Sequence, residues 1–443
     1  MRFLLFCIIL AVLPGPAKVF TKPTVVFILV DDMGWGDPSC FGGKVPTPNM
    51  DRLAAGGMQF RQFYVASPIC SASRCGILTG QFPARHRITS YLQTRAGNRE
   101  CEQADYLDPK APSLPRILKE AGYATAHIGK WHLGGGRDVT DAPKFAAYGY
   151  DLGLGTYESP EPAAALGLKT TPWETKREPQ QVERHDRTHW MVDETLKFVR
   201  EHPDKPCFVN LWLDDVHTPY RPVEGQDDRP LPEKYREVLT ETDRQIGRLM
   251  DALPANTLII LCGDNGPEPT LDHTRTNGLR GMKWSLYEGG IRTPLIIRWP
   301  GTVPAGAVNE TTVFSSVDFL PTLCSLLWLR PPDADLDGEC MSPAWEGKTM
   351  LRGKPLFWEY GRKPGEAGKV KGGFPYPKEP GSKSPNVAVS DGRWKLLINA
   401  DGTQSELYDI HKDPAETTNL AETEIVTAQL LKKAALAWRK ALP

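Results

Sequence analysis

Thr24-Val25-Val26-Phe27-Ile28-Leu29-Val30-Asp31-Asp32 is an unbroken apolar and β-branched run that stops on two carboxylates. A run of this length with no polar face predicts a strand buried on both sides, as in a parallel sheet. The residues directly after the strand matter as much, because ligands of open α/β sheets bind beyond the carboxyl ends of the strands.

Outward from this run the same pattern recurs. Ala124 to Ile128, Phe208 to Leu213, Leu258 to Cys262 and Pro294 to Arg298 also predict strands. Helical patterns lie between them. Thr47-Pro48 opens one with proline at its first position, and Ser113 caps another that ends at Gly122. Trp190 to Arg200 and Tyr235 to Leu253 carry apolar residues at helical spacing. Alternation of this kind specifies an α/β domain with a mostly parallel sheet.

Two stretches break it: Ser159 to Arg187, Pro-rich and poorly periodic, and Lys363 to Pro385, dense in Gly, Pro and Lys. Beyond the second, Val387 to Val389, Trp394 to Ile398 and Glu406 to Tyr408 alternate like antiparallel strands, and Ile425 to Leu442 reads as an amphipathic helix. The expected division is a catalytic α/β domain over residues 18–350 and a small C-terminal α+β domain over residues 351–443.

The chain has 443 residues, too many for one core, with 40% hydrophobic and 24% charged residues and a net charge of −1. That balance lacks the basic excess of a nucleic-acid binder. Phe3 to Leu13 is apolar behind Arg2 and precedes Gly15-Pro16-Ala17, so residues 1–17 read as a cleaved signal peptide, too short to span a membrane. The expectation is an exported protein, secreted or periplasmic. Cys7 falls in that leader. With Cys70 set aside, the remaining seven, Cys40, Cys75, Cys101, Cys207, Cys262, Cys324 and Cys340, are an odd, scattered set that makes no disulfide framework but leaves room for one or two bridges, and Cys207 and Cys262 sit in apolar runs as core residues.

Four predicted strands are followed at once by chemically capable residues: Asp31-Asp32, Gly129-Lys130-Trp131-His132, Asp214-Asp215-Val216-His217 and Gly263-Asp264-Asn265-Gly266. On one sheet edge they make a site. Asp31, Asp32, Asp264 and Asn265 offer only oxygens, and converging carboxylates without counter-charge would repel. A hard divalent cation relieves that, and the donor set suits Ca²⁺ or Mg²⁺ over zinc. Singly, each motif is also an ordinary turn or cap.

Cys70-Ser71-Ala72-Ser73-Arg74 forms a helical first turn with Gly80 placed to end the helix. Cys70 then sits at a helix N-terminus, where negative charge is favoured and a thiol's pKa is expected to fall, with Arg74 on the same face. His86, His127, His202 and His411 read as structural. Arg95, Arg99, Arg137, Arg184, His185 and Arg275 lie in loops within reach of a cleft rim, to bind a ligand there or to form a solvated charged face.

The run from Cys70 to Arg74 resembles the sulfatase signature Cys-x-Pro/Ala-x-Arg, with Leu78-Thr79-Gly80-Gln81 where the family has Leu-Thr-Gly-Arg. Asp31-Asp32-Met33-Gly34-Trp35-Gly36-Asp37, Gly129-Lys130-Trp131-His132-Leu133-Gly134, Gly263-Asp264-Asn265-Gly266 and Lys283 followed by Tyr287-Glu288-Gly289-Gly290 resemble further blocks in family order. The resemblance is strongest to the arylsulfatase A and N-acetylgalactosamine-6-sulfatase group.

The resemblance implies an alkaline-phosphatase-like α/β sandwich and hydrolysis of sulfated carbohydrate or aryl sulfate esters. It implies a formylglycine made from Cys70 by a formylglycine-generating or sulfatase-maturing enzyme. Asp31, Asp32, Asp264, Asn265 and the modified Cys70 would bind calcium, and Arg74, Lys130, His132, His217 and Lys283 match catalytic positions. The formylglycine hydrate would attack sulfur. His217, with Lys283, would protonate the leaving alcohol, and His132 would take the proton from the second hydroxyl as sulfate departs.

Ser390-Asp391-Gly392-Arg393-Trp394-Lys395 and Leu407-Tyr408-Asp409 resemble bacterial members, which favours polysaccharide degradation over a lysosomal role. Two rivals stay open: a phosphoester hydrolase of the same fold, and a carbohydrate-binding protein whose site is dead because Ala72 blocks maturation.

Overall fold

Val25–Val30 (β1) is a central strand, parallel to Cys207–Leu213 (β5) on one side and to Leu258–Gly263 (β6) on the other. The computed structural model that shows this describes residues 22–156, 158–166, 182–222, 228–271, 273–361 and 375–443. The expected leader with Cys7, much of the Pro-rich excursion and the start of the stretch from residue 363 lie outside the described residues.

The remaining strands of this sheet are Met58–Phe60 (β2), Ala124–Gly129 (β3), Leu152–Gly155 (β4), Leu295–Arg298 (β7) and Ala307–Asn309 (β8). Their order across the sheet is β4-β3-β5-β1-β6-β7-β2-β8. Only β7 runs against the rest, pairing antiparallel with both β6 and β2. The large, mostly parallel sheet expected from the sequence is therefore present.

Alternation along β1 builds two cores. Val25, Phe27 and Leu29 face a cluster that includes Ala72, Cys75, Ile77 and Leu78 of the helix Cys70–Thr79. Val26, Ile28 and Val30 face Met191 and Leu196 of the helix Arg187–Glu201 and Leu239 and Ile246 of the helix Leu231–Ala252. All six residues of β1 have no solvent exposure. Each such side chain contributes about 1.5–3 kcal/mol of burial, which fixes the register and so the position of Asp31 and Asp32.

Proline opens the helix after Thr47 as expected, whereas the predicted Ser113 cap is corrected. Helix Pro48–Ala55 follows Thr47, but the Thr47 hydroxyl bonds the backbone and hydroxyl of Ser39 instead of capping. Helix Leu114–Glu120 follows Ser113, whose hydroxyl donates to the Tyr148 carbonyl at 2.5 Å. In each case a tertiary partner engages the hydroxyl in place of the helix N–H groups.

The C-terminal sheet pairs Leu356–Glu359, Val387–Ser390, Trp394–Ile398 and Glu406–Asp409 antiparallel in chain order. Helix Ile425–Lys440 covers it with Ala428, Leu431 and Ala435. Lys395, 1% exposed, ties this sheet to the larger one: its Nζ lies 2.9 Å from Glu288 Oε1 and 3.0 Å from Glu416 Oε1. All eight cysteines among the described residues are free, and Cys207 and Cys262 are buried as expected.

His127 is a structural histidine, enclosed by Phe145, Trp131, Tyr150 and Trp212. Burial lowers its pKa from 6.5 to about 3, so the folded protein keeps the ring neutral while the unfolded chain takes up a proton below pH 6.5. The unfolded state then binds more protons, and stability falls with falling pH across that window by up to about 1.4 kcal/mol per pH unit. Denaturant melts of the wild type and His127→Phe between pH 7 and pH 4 should show a flatter pH dependence in the variant.

Candidate active site

Every predicted site residue except His132 and His217 joins one hydrogen-bonded cluster at the carboxyl edge of the sheet, and His217 borders it with Nε2 3.6 Å from Asp32 Oδ2. Asp31 and Asp32 follow β1, Lys130 and His132 follow β3, His217 follows β5, and Asp264 and Asn265 follow β6. Lys283 enters from the loop before the short helix Glu288–Ile291. That loop is held by a close approach of backbones: Gly266 N donates to Gly290 O at 2.9 Å, and a Cβ on Gly266 would stand 1.9 Å from the Gly289 carbonyl oxygen. Glycine alone allows this contact.

Cys70 is the first residue of the helix Cys70–Thr79, which ends at Gly80 with φ 68°. Its thiol donates to Asp31 Oδ1 and accepts from Lys130 Nζ, both at 3.4 Å. The expectation of a lowered thiol pKa is reversed. Burial pushes the Cys70 thiol up to about 12, against the pull of Lys130 and Lys283. The helix N-terminus does not offset the loss of water.

The carboxylates do not converge without counter-charge, contrary to the expectation from sequence. Lys130 Nζ lies 2.6 Å from Asp31 Oδ2, and Lys283 Nζ lies 2.6 and 2.8 Å from the two oxygens of Asp32. Arg74 grips Asp264 Oδ2 through Nε at 3.1 Å and Nη2 at 2.6 Å, and donates from Nη1 to the Lys130 carbonyl. Its guanidinium also lies over the Trp212 ring at 5.2 Å. All six of these charged side chains are at most 3% exposed.

Burial works to raise Asp31, but Lys130, His217, Arg74 and Lys283 outweigh it and hold the carboxyl well below its usual range. Asp264 goes the other way, pushed up to about 7 by burial and then by Asp31.

Oxygens of Asp31, Asp32 and Asp264 lie within 4.8 Å of one another. Asn265 donates its amide to Asp32 Oδ1 at 2.7 Å, while its own Oδ1 is buried with no hydrogen-bond partner. An orphaned oxygen beside three carboxylates is the donor set a hard divalent cation takes. These residues fit such an ion even though the local cations already offset much of the carboxylate charge.

His217 donates Nδ1–H to the Thr218 carbonyl at 2.6 Å, leaving Nε2 3.6 Å from Asp32 Oδ2. Burial and Lys283 lower its pKa to about 4. His132 sits with φ 55° and donates Nε2–H to the Leu92 carbonyl at 3.1 Å, and its buried Nδ1 lacks a partner. Burial, then Lys130 and Arg74, hold His132 well below its usual range. Both imidazoles are neutral near pH 7, each with one nitrogen able to accept a proton.

Asp214 and Asp215 share the sheet edge but serve the scaffold. Asp214 Oδ2 accepts from Thr156 Oγ1 and Arg187 Nη1, and Asp215 Oδ2 accepts from the Thr188 backbone. Two predicted rim residues are buried braces. Arg184 donates to the carbonyls of Asp214 and His217. Arg275 pairs with Asp37 at 2.8 Å and donates to the Asp32 carbonyl at 2.7 Å. It thereby supports Asp32, whose φ is 57°. Nothing in the local sequence signals these partners, because each is made across the fold.

The sulfatase family model matches residues 23–328. The chain belongs to the sulfatase family. A second family model, N-sulphoglucosamine sulphohydrolase C-terminal, matches residues 282–437. N-acetylgalactosamine-6-sulfatase of Canis lupus familiaris is 31% identical over 387 residues, 78% of this chain and 70% of the relative. Arylsulfatase A of Homo sapiens is 29% identical over 466 residues, 93% of this chain and 86% of the relative. A solved structure from work on glycosaminoglycan metabolism by Bacteroides thetaiotaomicron shares the fold with a TM-score of 0.72 at 24% identity, covering 95% of this chain and 99% of that one. The protein is a sulfuric ester hydrolase, as the signature at Cys70 implied.

The burial of position 70 has a direct chemical consequence. Cys70 is 2% exposed, whereas Cys340 is exposed. In any copy that keeps a thiol at position 70, iodoacetamide should label Cys340 in the native protein and Cys70 only after unfolding. Equal labelling rates by peptide mass spectrometry would contradict a buried position 70.

Proposed function

We propose that this sulfatase releases sulfate from sulfated carbohydrates, using a formylglycine made from Cys70 and a calcium ion held by Asp31, Asp32, Asp264, Asn265 and the modified position 70. The reading is carried by one observation: the signature cysteine opens a helix directly beside three buried carboxylates and three buried cations. The relatives named N-acetylgalactosamine-6-sulfatase support a sugar substrate. When present, the formylglycine hydrate supplies the nucleophile and the ion polarises it and offsets sulfate charge.

The chain's own residues supply the rest. A sulfate ester spreads negative charge over several oxygens, and the fork of Arg74 with the two ammonium groups of Lys130 and Lys283 is arranged to receive it. Binding of that anion favours the protonated form of a nearby imidazole. His217 can then give a proton to the departing alcohol oxygen. His132 is suited to accept one, since Nε2 is committed to Leu92 and Nδ1 is bare. Burial excludes water, which strengthens each of these contacts.

The expected N-terminal leader supports export, so the protein would work outside the cytoplasm, secreted or periplasmic, after maturation by a formylglycine-generating or sulfatase-maturing enzyme. Among the described residues no helix is long and apolar enough to cross a membrane.

The active protein should contain a peptide around position 70 lighter than the cysteine form, and Cys70→Ala should fold yet release no sulfate. Full activity in Cys70→Ala would refute the nucleophile. Chelation should abolish turnover and added Ca²⁺ restore it, whereas His132→Ala should lower kcat by about 10²–10⁴. Sulfate and phosphate esters of one phenol, assayed side by side, separate this reading from a phosphoester hydrolase: faster phosphate release would favour the rival.

A further inference from the structure

Beside His132, a backbone segment is bent in a way few sequences tolerate. His132 and Arg137 have φ 55° and 50°, and Gly134, Gly135 and Gly136 between them have φ 121°, 88° and 78°. The space is closed as well: a Cβ on Gly134 would lie 2.2 Å from Tyr106 Cβ, and one on Gly135 would lie 2.4 Å from Pro160 N. A non-glycine residue in the left-handed region is costly and persists only where its surroundings enforce it.

The bend delivers Arg137. Its Nε donates to Glu158 Oε1 at 2.7 Å. Glu158 is itself only 5% exposed, and its carbonyl accepts from His132 N at 3.2 Å. The Arg137 side chain keeps 24% of its exposure, and its two terminal nitrogens hold no hydrogen bond among the described residues. Tyr91, whose ring centroid is 6.5 Å from that of His132, feels the charges of both Arg137 and Glu158, so the pair borders the site.

Apart from Arg99, which is exposed on the short helix Arg95–Glu100 and braced by no buried carboxylate among the described residues, the other rim arginines are engaged. Arg95 is paired with Asp105 and Asp141, and Arg184 and Arg275 are buried braces. Arg137 thus presents a planar fork, fixed at one edge by a buried carboxylate and open at the other, the geometry that grips an oxyanion in two bonds.

From this we infer that Arg137 is a specificity residue of the sulfatase, which binds a second anionic group on the sugar substrate, a carboxylate or a further sulfate, beside the ester being cleaved. Glu158 is its positioning residue. This rests on the proposed hydrolysis of sulfated carbohydrate. The Arg137 fork does not touch the ester that reacts, so its loss acts on the choice among substrates.

Three probes test it: 6-sulfated N-acetylgalactosamine, its disulfated form, and the same monosulfated sugar joined to a uronic acid. In Arg137→Gln, kcat/KM for an anionic probe relative to the monosulfated sugar should fall about ten- to a hundredfold, the worth of a hydrogen bond to a charged group. The effect should lie mainly in KM. Arg137→Lys should recover part of the ratio, and Glu158→Gln should lose part of it. Whichever anionic probe responds identifies the group as sulfate or carboxylate.

An equal loss on all three probes would mean a structural role and overturn the inference, as would an unchanged ratio. If Arg137→Gln fails to fold, Arg137→Lys and Glu158→Gln carry the same comparison. A wild type that cleaves none of the probes overturns the carbohydrate reading and this inference with it. Cleavage of all three with an unchanged ratio in the variants overturns the inference alone.

Discussion

Three carboxylates and three cations share a space that water does not reach, and neither set is tolerable there without the other. Moving one such charge out of water costs several kcal/mol, and removing one partner of a buried pair leaves the other uncompensated at about 3–5 kcal/mol. Lys130 against Asp31, Lys283 against Asp32 and Arg74 against Asp264 therefore form a matched set rather than a row of independent bridges. The sheet makes it possible: β1 and β6 are neighbours in register, so the groups that follow them emerge side by side.

The same burial governs the acid–base groups. A helix N-terminus favours negative charge by about 0.3–1 kcal/mol at exposed sites, whereas full desolvation raises the Cys70 thiol to about 12. A thiolate is thus disfavoured at this position, and a nucleophile that carries no charge until it is polarised suits the environment better. His132 and His217 obey the same rule. Both are neutral, and each has one nitrogen tied to a backbone carbonyl, Leu92 or Thr218, which fixes the tautomer.

The central strands and the acidic cluster beyond them are legible in the sequence because one physical signal serves both. Long apolar runs such as Val25–Val30 and Leu258–Gly263 announce buried strands, and polar residues directly after them fall on the functional edge. The signal weakens where a strand is short or glycine-rich. Met58–Phe60, Leu152–Gly155 and Ala307–Asn309 carry too little of it to be read as strands, as does Leu356–Glu359 in the C-terminal sheet. It also fails to separate Asp214 and Asp215 from His217, since position on the edge does not say which way a side chain is drawn. Arg187 and Thr188, on another helix, decide that. The pairing of Arg74, Lys130 and Lys283 with the carboxylates, and braces such as Arg275, are invisible for the same reason: the partners lie 99 to 251 residues apart.

The C-terminal sheet, finally, is a structural part of the site. Glu288 belongs to the block after Lys283, and one of its oxygens takes Lys395 from the small sheet while the other takes the Tyr64 hydroxyl. Glu416 adds a backbone bond to Glu288 N at 2.7 Å and a second contact to Lys395. Burial drives Glu416 up to about 7, so this junction is itself a balanced buried charge set, with the same sensitivity to losing a member. The loop that carries Lys283 is therefore held from two sides: by the glycine contact with Gly266 beside Asp264 and Asn265, and by Lys395 from the far sheet. The position of the Lys283 ammonium thus depends on the docking of Lys395, more than a hundred positions later in the chain, which gives the small antiparallel sheet a part in a site built mainly at the edge of the large one.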